Sequence, residues 1–371
     1  MKEEVYMEQD MRFMALALDL ARSANGQTSP NPLVGAVLVN NGEVVGMGAH
    51  LRAGEPHAEV HALRMAGQKA AGATLYVTLE PCSHHGKTPP CAEAVIAAGI
   101  RRAVIATLDP NPLVAGKGAE KLRAAGVEVV VGVHEAEAKK LNEVFFHFIK
   151  TRRPFVTIKT ASTLDGKIAT ESGHSRWITG TRARGEVHEL RRQHDAILVG
   201  VGTVLADDPL LTARLDGQAH GRQPVRIIWD SQLRTPLGAN VIQNADAPTW
   251  IFTTKAAAQA KQEAFAEKGI RLFVADEQIR VDEVLDTLGE WGITSLLVEG
   301  GAAVNGAFLQ ARAIQKVISY VSLKMIGGGQ APTPFGGQGF STMDQAVKLA
   351  NPTVEQLDEL DLRISGYPQW E

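Results

Sequence analysis

Apolar positions recur at two spacings along this chain, and the switch between them lays out its elements. Met11, Met14, Leu18 and Ala21 fall at helical spacing and predict a helix over 10–24, ended by Asn25-Gly26. Apolar runs over 34–39 and 43–47 flank Asn40-Asn41-Gly42, a hairpin signal. His57 then opens a helix reaching about Ala66, and a strand over 74–79 delivers Glu80, Pro81 and Cys82 at its carboxyl end. Cys91 opens the following helix, where backbone N–H groups and the helix dipole favour a thiolate. A strand over 102–107, a helix over 119–125 and a strand over 127–133 complete the run. After the hairpin the order is α-β-α-β-α-β, which predicts a layered α/β domain with a largely parallel later sheet.

Around Lys150-Thr151-Arg152-Arg153-Pro154 the pattern resets, so the domains are expected at 1–150 and 151–371, with the basic cluster read as a solvated linker. Strands follow over 155–160, 196–199, 225–229, 249–253, 271–274, 295–298 and 317–321. Helices are expected over 182–192, 256–267 and 281–291, with another after Gly300-Gly301. Internal repeats and low-complexity tracts are not evident.

Composition narrows the function. A chain of 371 residues suggests about two domains, and 44% hydrophobic residues suffice for ordinary cores. The net charge of −3 gives no basic footprint for nucleic acid, so a small diffusing substrate is expected. Met1-Lys2-Glu3-Glu4 does not begin a secretory signal, and no stretch reaches the roughly 18 apolar residues of a membrane helix. With two cysteines there is no disulfide framework, and a cytoplasmic location is expected.

Those cysteines carry the chemistry. Both fall in Pro81-Cys82-Ser83-His84-His85-Gly86-Lys87-Thr88-Pro89-Pro90-Cys91, downstream of His57-Ala58-Glu59. One histidine and two cysteines are three ligands for zinc, leaving the fourth tetrahedral position open to water, whose pKa zinc lowers to roughly 7. Glu59, two residues from His57, is placed for proton transfer without being a ligand; His-x-Glu followed by Pro-Cys and a second Cys is the zinc nucleobase-deaminase pattern. Free cysteines are more often buried small apolar residues. A structural zinc with His84 or His85 as fourth ligand stays open, and His61, one turn after His57, reads as helix packing. Asn31, His50 and Lys87 are candidate substrate contacts.

Eight residues separate Cys82 from Cys91, where many deaminases have two; a transfer-RNA adenosine deaminase would show the short spacing and a basic surface. This long loop, with His57-Ala58-Glu59-Val60, Glu80-Pro81-Cys82 and Ser29-Pro30-Asn31-Pro32-Leu33-Val34-Gly35-Ala36, resembles the bifunctional deaminase–reductase family of riboflavin biosynthesis. Lys159-Thr160-Ala161-Ser162-Thr163-Leu164-Asp165-Gly166-Lys167, Ser175-Arg176-Trp177-Ile178-Thr179, the segment from Gly202 to Pro209, and Val298-Glu299-Gly300-Gly301 extend the resemblance across nearly the whole chain. It implies a cytidine-deaminase-like α/β domain followed by a dihydrofolate-reductase-like α/β domain. The first would remove the 2-amino group of a diaminopyrimidinone ribosylamine phosphate with one zinc per chain. The second would reduce the ribosyl group to ribityl with NADPH. Dimers or larger assemblies are compatible with the resemblance.

By the same resemblance Ala161, Trp177, Thr203, Asp207 and Ser231 line the cofactor site, while Ser175, Arg191, Leu211, Arg214 and Glu299 meet the phosphorylated substrate. Neither half shows Gly-x-Gly-x-x-Gly after its first strand, so a Rossmann fingerprint is absent. Gly300-Gly301 at a strand end, before a helix, is instead a candidate pyrophosphate cradle, and Gly301 is counted with the cofactor site. Arg191 and Arg214 are candidate phosphate clamps because guanidinium forks match phosphate oxygens. Asp207-Asp208 before Pro209 reads as a turn or cap rather than a metal site. Two rivals remain: a deaminase with a catalytically silent nucleotide-binding or assembly module, and a scaffold around structural zinc.

Overall fold

Side-chain alternation in the first strands decides which layer each residue meets. The computed structural model describes residues 2–83, 90–111 and 115–370, which divide into two units, Met1–Arg152 and Arg153–Glu371. In the first unit, α1 (Lys2–Ser23) leads to an antiparallel hairpin of β1 (Gly35–Asn40) and β2 (Glu43–Ala49). Then come α2 (Ala58–Ala66), β3 (Thr74–Val77), α3 (Cys91–Ala97), β4 (Arg102–Ile105), α4 (Lys117–Ala124) and β5 (Glu128–Val131), closed by α5 (Glu135–Leu141) and α6 (Glu143–Thr151). The sheet order is β2-β1-β3-β4-β5, with β3, β4 and β5 parallel. Ala36, Leu38, Leu75, Val77 and Ile105 pack on the face shared with α2, α3 and α4. Val37, Val39, Tyr76 and Val104 alternate to the other face, where Phe13, Met14, Ala17 and Leu18 of α1 cover them. Met11, expected in that stripe, is exposed; Phe13 and Ala17 take the buried positions.

A buried ion pair ties α1 to the sheet. Arg102 Nη1 and Nη2 donate to Asp10 Oδ1 and Oδ2 at 2.7 and 2.8 Å, and the Tyr76 hydroxyl donates to Asp10 Oδ1 at 2.9 Å. Such a bidentate pair holds two planar groups in one geometry.

The second unit opens with β6 (Phe155–Thr163), α7 (Thr181–Gln193), β7 (Ala196–Gly200), α8 (Val201–Asp207) and a small antiparallel pair, β8 (Arg214–Leu215) and β9 (Gln218–Ala219). It continues with β10 (Val225–Trp229), α9 (Asn240–Gln243), β11 (Thr249–Thr254), α10 (Gln259–Glu267), β12 (Arg271–Ala275), α11 (Val281–Glu290), β13 (Ser295–Val298), α12 (Ala302–Gln310) and β14 (Lys316–Ser322). A C-terminal hairpin, β15 (Leu349–Gln356) and β16 (Asp361–Pro368), completes a sheet of order β12-β11-β10-β7-β13-β6-β14-β16-β15. Pairing is parallel from β12 to β14 and antiparallel beyond it. Ala196 and Leu198 face the layer of α11 and α12, while Ile197 and Val199 face that of α8 and α10.

The two units meet in sequence two residues beyond the expected position, because α6 runs to Thr151 and Arg152 takes the left-handed conformation (φ 59°) that ends it. Arg153 is not simply solvated. Its guanidinium bonds Asp286 Oδ1 at 2.6 Å and Asp282 Oδ1 at 2.9 Å, fixing the start of β6 to α11.

Candidate functional site

The α2 helix starts where it does because β2 leaves room for it. A Cβ on Gly48 would lie 2.3 Å from the Ala58 carbonyl oxygen, so only glycine lets the first turn of α2 rest on the strand. That turn carries His57 as its N-cap and Glu59 within it. Across from it, β3 ends ahead of Cys82, and Cys91 is the first residue of α3. The His57, Cys82 and Cys91 ligand atoms all lie within 4.8 Å of one another. His57 Nδ1 is 3.2 Å from Cys91 Sγ and 3.7 Å from Cys82 Sγ, and the Cys91 backbone N–H donates to Cys82 Sγ at 3.2 Å. One imidazole and two sulfurs converging in this way fit a zinc ion with an open fourth position.

The charge state of the cluster follows from these contacts. The bond from the Cys91 thiol and the contacts with His57 outweigh burial and hold the Cys82 thiol down to about 4. Cys91 is pushed up by its bond to Cys82 and by burial. His57 is raised chiefly by its bond to Cys82. Glu59 is 3% exposed, its Oε2 has no hydrogen-bond partner, and burial pushes its carboxyl up to about 7. A buried, half-satisfied carboxyl beside a metal-ligand cluster is poised to exchange a proton.

Asn31 and His50 come together beside this cluster. Asn31 Nδ2 is 3.0 Å from His50 Nε2, His50 Nδ1 is 3.2 Å from the Pro56 carbonyl, and the His50 ring stands edge-on to His57 at 5.3 Å. Burial lowers the His50 pKa. The loop carrying Asn31 is anchored by a residue that sequence reading passed over. Asn142, buried between α5 and α6, accepts from Leu33 N at 2.8 Å and donates to Leu33 O at 2.9 Å. Its signal was only a single polar residue between a charged helix and an apolar one. His61 is outside the ligand cluster among the described residues, and its Nε2 is buried without a partner. Lys87, His84 and His85 lie outside the described residues.

In the second unit, the carboxyl ends of β6 and β13 open into a cavity of about 470 Å³. Ala161, Ser175, Trp177, Arg191, Thr203, Asp207, Arg214, Glu299 and Gly301 all line it. Its charged centre is Glu299, which accepts from Arg191 Nε at 2.8 Å, from Arg191 Nη2 at 3.0 Å and from Lys159 Nζ at 3.1 Å. Burial pushes the Glu299 carboxyl up, but Arg191 and Lys159 prevail and hold it well below the usual carboxylate range. Arg191 thus spends its fork on Glu299. Arg214 keeps a buried Nε with no partner, a donor still seeking an acceptor.

Two of the expected residues lie elsewhere. Ser231 borders a second hollow, and the Leu211 side chain is 3% exposed in the core with Ile197, Val199 and Ile228. Asp207 ends α8 and Asp208 caps it in the left-handed conformation, accepting from Asn240 N at 2.8 Å. Sequence reading passed over Arg184 and His188, which stand at i and i+4 on α7, with Arg191 at i+7, and line the same cavity. That helical spacing was the available signal. Arg184 lies over the Trp177 ring at 4.4 Å, and burial together with Arg191 and Arg214 lowers the His188 pKa.

Family comparison covers both units. The RibD C-terminal domain family model matches residues 154–359, and that of the cytidine and deoxycytidylate deaminase zinc-binding region matches residues 7–107. The chain is 48% identical to riboflavin biosynthesis protein RibD of Bacillus amyloliquefaciens over 358 residues, covering 96% of each chain. It is 45% identical to RibD of Escherichia coli (strain K12), covering 95% of this chain and 96% of that one. The structure of Acinetobacter baumannii RibD, form 1, matches with a TM-score of 0.89 at 40% identity, covering 98% of this chain and 100% of that chain. A deaminase/reductase structure from Thermotoga maritima matches with a TM-score of 0.86, also at 40% identity and with the same coverage.

Proposed function

Because the chain belongs to the RibD family, the bifunctional deaminase–reductases of riboflavin biosynthesis, we propose a division of that chemistry between its two units, residue by residue. The enzyme deaminates a diaminopyrimidinone ribosylamine phosphate in a zinc-dependent step, then reduces the ribosyl group to ribityl with NADPH. Its first unit is cytidine-deaminase-like and its second dihydrofolate-reductase-like. The silent-module alternative is not favoured.

His57, Cys82 and Cys91 hold the zinc, which when bound makes water a nucleophile at neutral pH. Glu59 would accept a proton from the attacking water and deliver it to the ring nitrogen, then carry the proton of the newly added hydroxyl to the amino group as it leaves as ammonia. The observation that carries this assignment is its buried, unpartnered Oε2 beside the three ligands. Asn31 and His50 orient the pyrimidine edge, and Asn142 steadies the loop that presents Asn31.

NADPH supplies the hydride for reduction at the ribosyl C1′. A site for it fits the start of α12: Gly300 packs on Val304, where a Cβ would lie 2.7 Å from that side chain, while no atom lies within 4 Å of a Cβ built on Gly301, so the backbone there is open to an approaching pyrophosphate. Ala161, Trp177, Thr203, Asp207, Ser231 and Gly301 hold the cofactor. Ser175 and Arg214 meet the substrate, with Arg214 on its phosphate; Leu211 supports this side from the core. Glu299 holds Arg191 and Lys159 in place and orients the sugar. The ligand is a small phosphorylated pyrimidine. No helix among the described residues is long and apolar enough to cross a membrane, and two cysteines serving as metal ligands suit the reducing cytoplasm, where we place the enzyme.

Substitution tests the assignments. E59Q is expected to slow ammonia release by about 10²–10⁴-fold, with zinc stoichiometry and NADPH oxidation on supplied deaminated substrate unchanged. Ammonia release at the wild-type rate removes Glu59 from the proton path. R214A is expected to raise the reductase substrate KM at least about tenfold through loss of a charge-assisted contact; an unchanged KM removes Arg214 from the phosphate site.

A further inference from the structure

Arg214 enters the reductase cavity from a stretch of chain that belongs to no helix or strand. Residues 210–213 run between α8 and the start of β8. Within them Leu211 takes the left-handed conformation (φ 53°), which a leucine rarely adopts unless its surroundings hold it there. Thr212 and Ala213 are 1% and 2% exposed, so their backbone groups need partners inside the protein. Most of those partners are side chains.

Gln223, just ahead of β10, supplies two of them. Its Oε1 accepts from Ala213 N at 2.8 Å and its Nε2 donates to Ala213 O at 3.0 Å. One amide thus meets both polar groups of one residue, as a neighbouring strand would. Ala213 O also accepts from His220 N at 3.0 Å. From α7, His188 Nδ1 lies 3.2 Å from both Arg214 N and Thr212 O. It accepts from the first in one tautomer and donates to the second in the other, so either form holds the segment. Arg191 Nη1 adds a bond to Thr212 O at 3.3 Å, and Arg226 Nη1 one to Leu210 O at 3.3 Å. Gln223 is not among the residues lining the cavity, whereas Arg214, one residue beyond its anchor, lines it and keeps an unpartnered Nε.

We propose that Gln223 and His188 are positioning residues of the reductase, fixing the backbone that carries Arg214 so that its guanidinium is aimed at the substrate phosphate. The inference rests on the reading of Arg214 as the phosphate contact given above. A guanidinium fork meets phosphate oxygens in a narrow range of orientations. With the clamp intact that orientation exists before the substrate arrives; without it, binding has to order the segment first. The loss should therefore fall on substrates that carry the phosphate.

Reductase kinetics separate this role from general support of the fold. Zinc-loaded full-length wild type, Q223A, R214A and the double variant are compared by NADPH oxidation on the deaminated ribosylamine phosphate and on the same compound without its phosphate. Q223A is expected to raise the KM for the phosphorylated substrate about fivefold, the worth of one neutral hydrogen bond, with kcat within about twofold. Its kcat/KM on the dephosphorylated compound should stay within about twofold of wild type, and Q223A should add nothing to the loss in R214A. H188A should behave as Q223A does, while H188Q, whose amide can again accept and donate, should restore most of the KM. A wild-type KM in Q223A or H188A, an equal loss on both substrates, additivity of Q223A with R214A, or an H188Q no better than H188A overturns the proposal. An unchanged KM in R214A itself overturns the phosphate reading of Arg214, and the clamp proposal with it.

Discussion

Glu299 shows how one buried carboxylate organises two cations. Arg191 and Lys159 both point at it, and each is itself largely buried. E299Q would leave those two positive charges facing one neutral amide, a loss of about 3–5 kcal/mol by analogy with other broken buried pairs. The pH dependence has a definite sign. A carboxyl whose folded pKa is depressed contributes stability above its unfolded pKa and loses it as pH falls through the folded value. Wild type should therefore melt well above E299Q at pH 7, and the gap should narrow as the solution is acidified below the ordinary carboxylate range. Melting curves of both proteins across that range check this, and a gap that stays constant into acid contradicts the ion-pair account. At this scale the candidate metal cluster was legible because His-x-Glu and Pro-Cys are local patterns, and the ligand atoms of His57, Cys82 and Cys91 lie within 4.8 Å of one another. Arg184 and His188 were not legible: they announce themselves only by sharing a helix face with Arg191, and a lone arginine on an amphipathic helix reads as solvated.

Among elements, the strands buried on both faces were the easiest to read. Val225–Trp229 and Ser295–Val298 keep their expected limits, because each holds a short apolar run, Ile227-Ile228-Trp229 and Leu296-Leu297-Val298, bounded by polar residues. The C-terminal hairpin was missed for the opposite reason. β15 is an exposed edge strand containing Asn351 and Pro352, and its register shifts between Ala350 and Thr353, so no alternation survives to be read. Helix α6 also escaped notice, since it buries no residue completely and only half-buries Phe145 and Phe146 against the first core. Close packing of elements supplies a prediction of its own. A Cβ on Gly306 of α12 would lie 2.2 Å from the Gly336 carbonyl oxygen, while Gly336 N donates to Ala302 O at 2.8 Å and Asn305 Nδ2 to Pro334 O at 2.8 Å. G306A should push the 334–337 segment off α12, cost about 1–3 kcal/mol, and raise the reductase KM through Pro334, which lines the cavity. Ammonia release should be unaffected. Steady-state kinetics of both reactions on one preparation decide this, and a normal reductase KM would show that the segment does not shape the cavity.

For the molecule as a whole, two sheets with separate cores carry two sites with different chemical requirements. The metal-ligand cluster lies in the first unit and the charged cavity in the second. Stripping zinc with a chelator is accordingly expected to stop ammonia release while NADPH oxidation continues on supplied deaminated substrate, and added zinc to restore the first reaction. Loss of both activities on chelation would contradict that separation. The division into two domains was legible from the change of pattern at Pro154, but the two-residue displacement was not, because the end of α6 depends on a left-handed Arg152. The most direct measurement follows both reactions in one vessel: zinc-loaded protein with the diaminopyrimidinone ribosylamine phosphate and NADPH, recording ammonia and then NADPH absorbance. Ammonia release followed by NADPH consumption is the predicted result. Ammonia without NADPH consumption would contradict the reductase assignment, and the absence of both would contradict the account of the zinc site and its substrate.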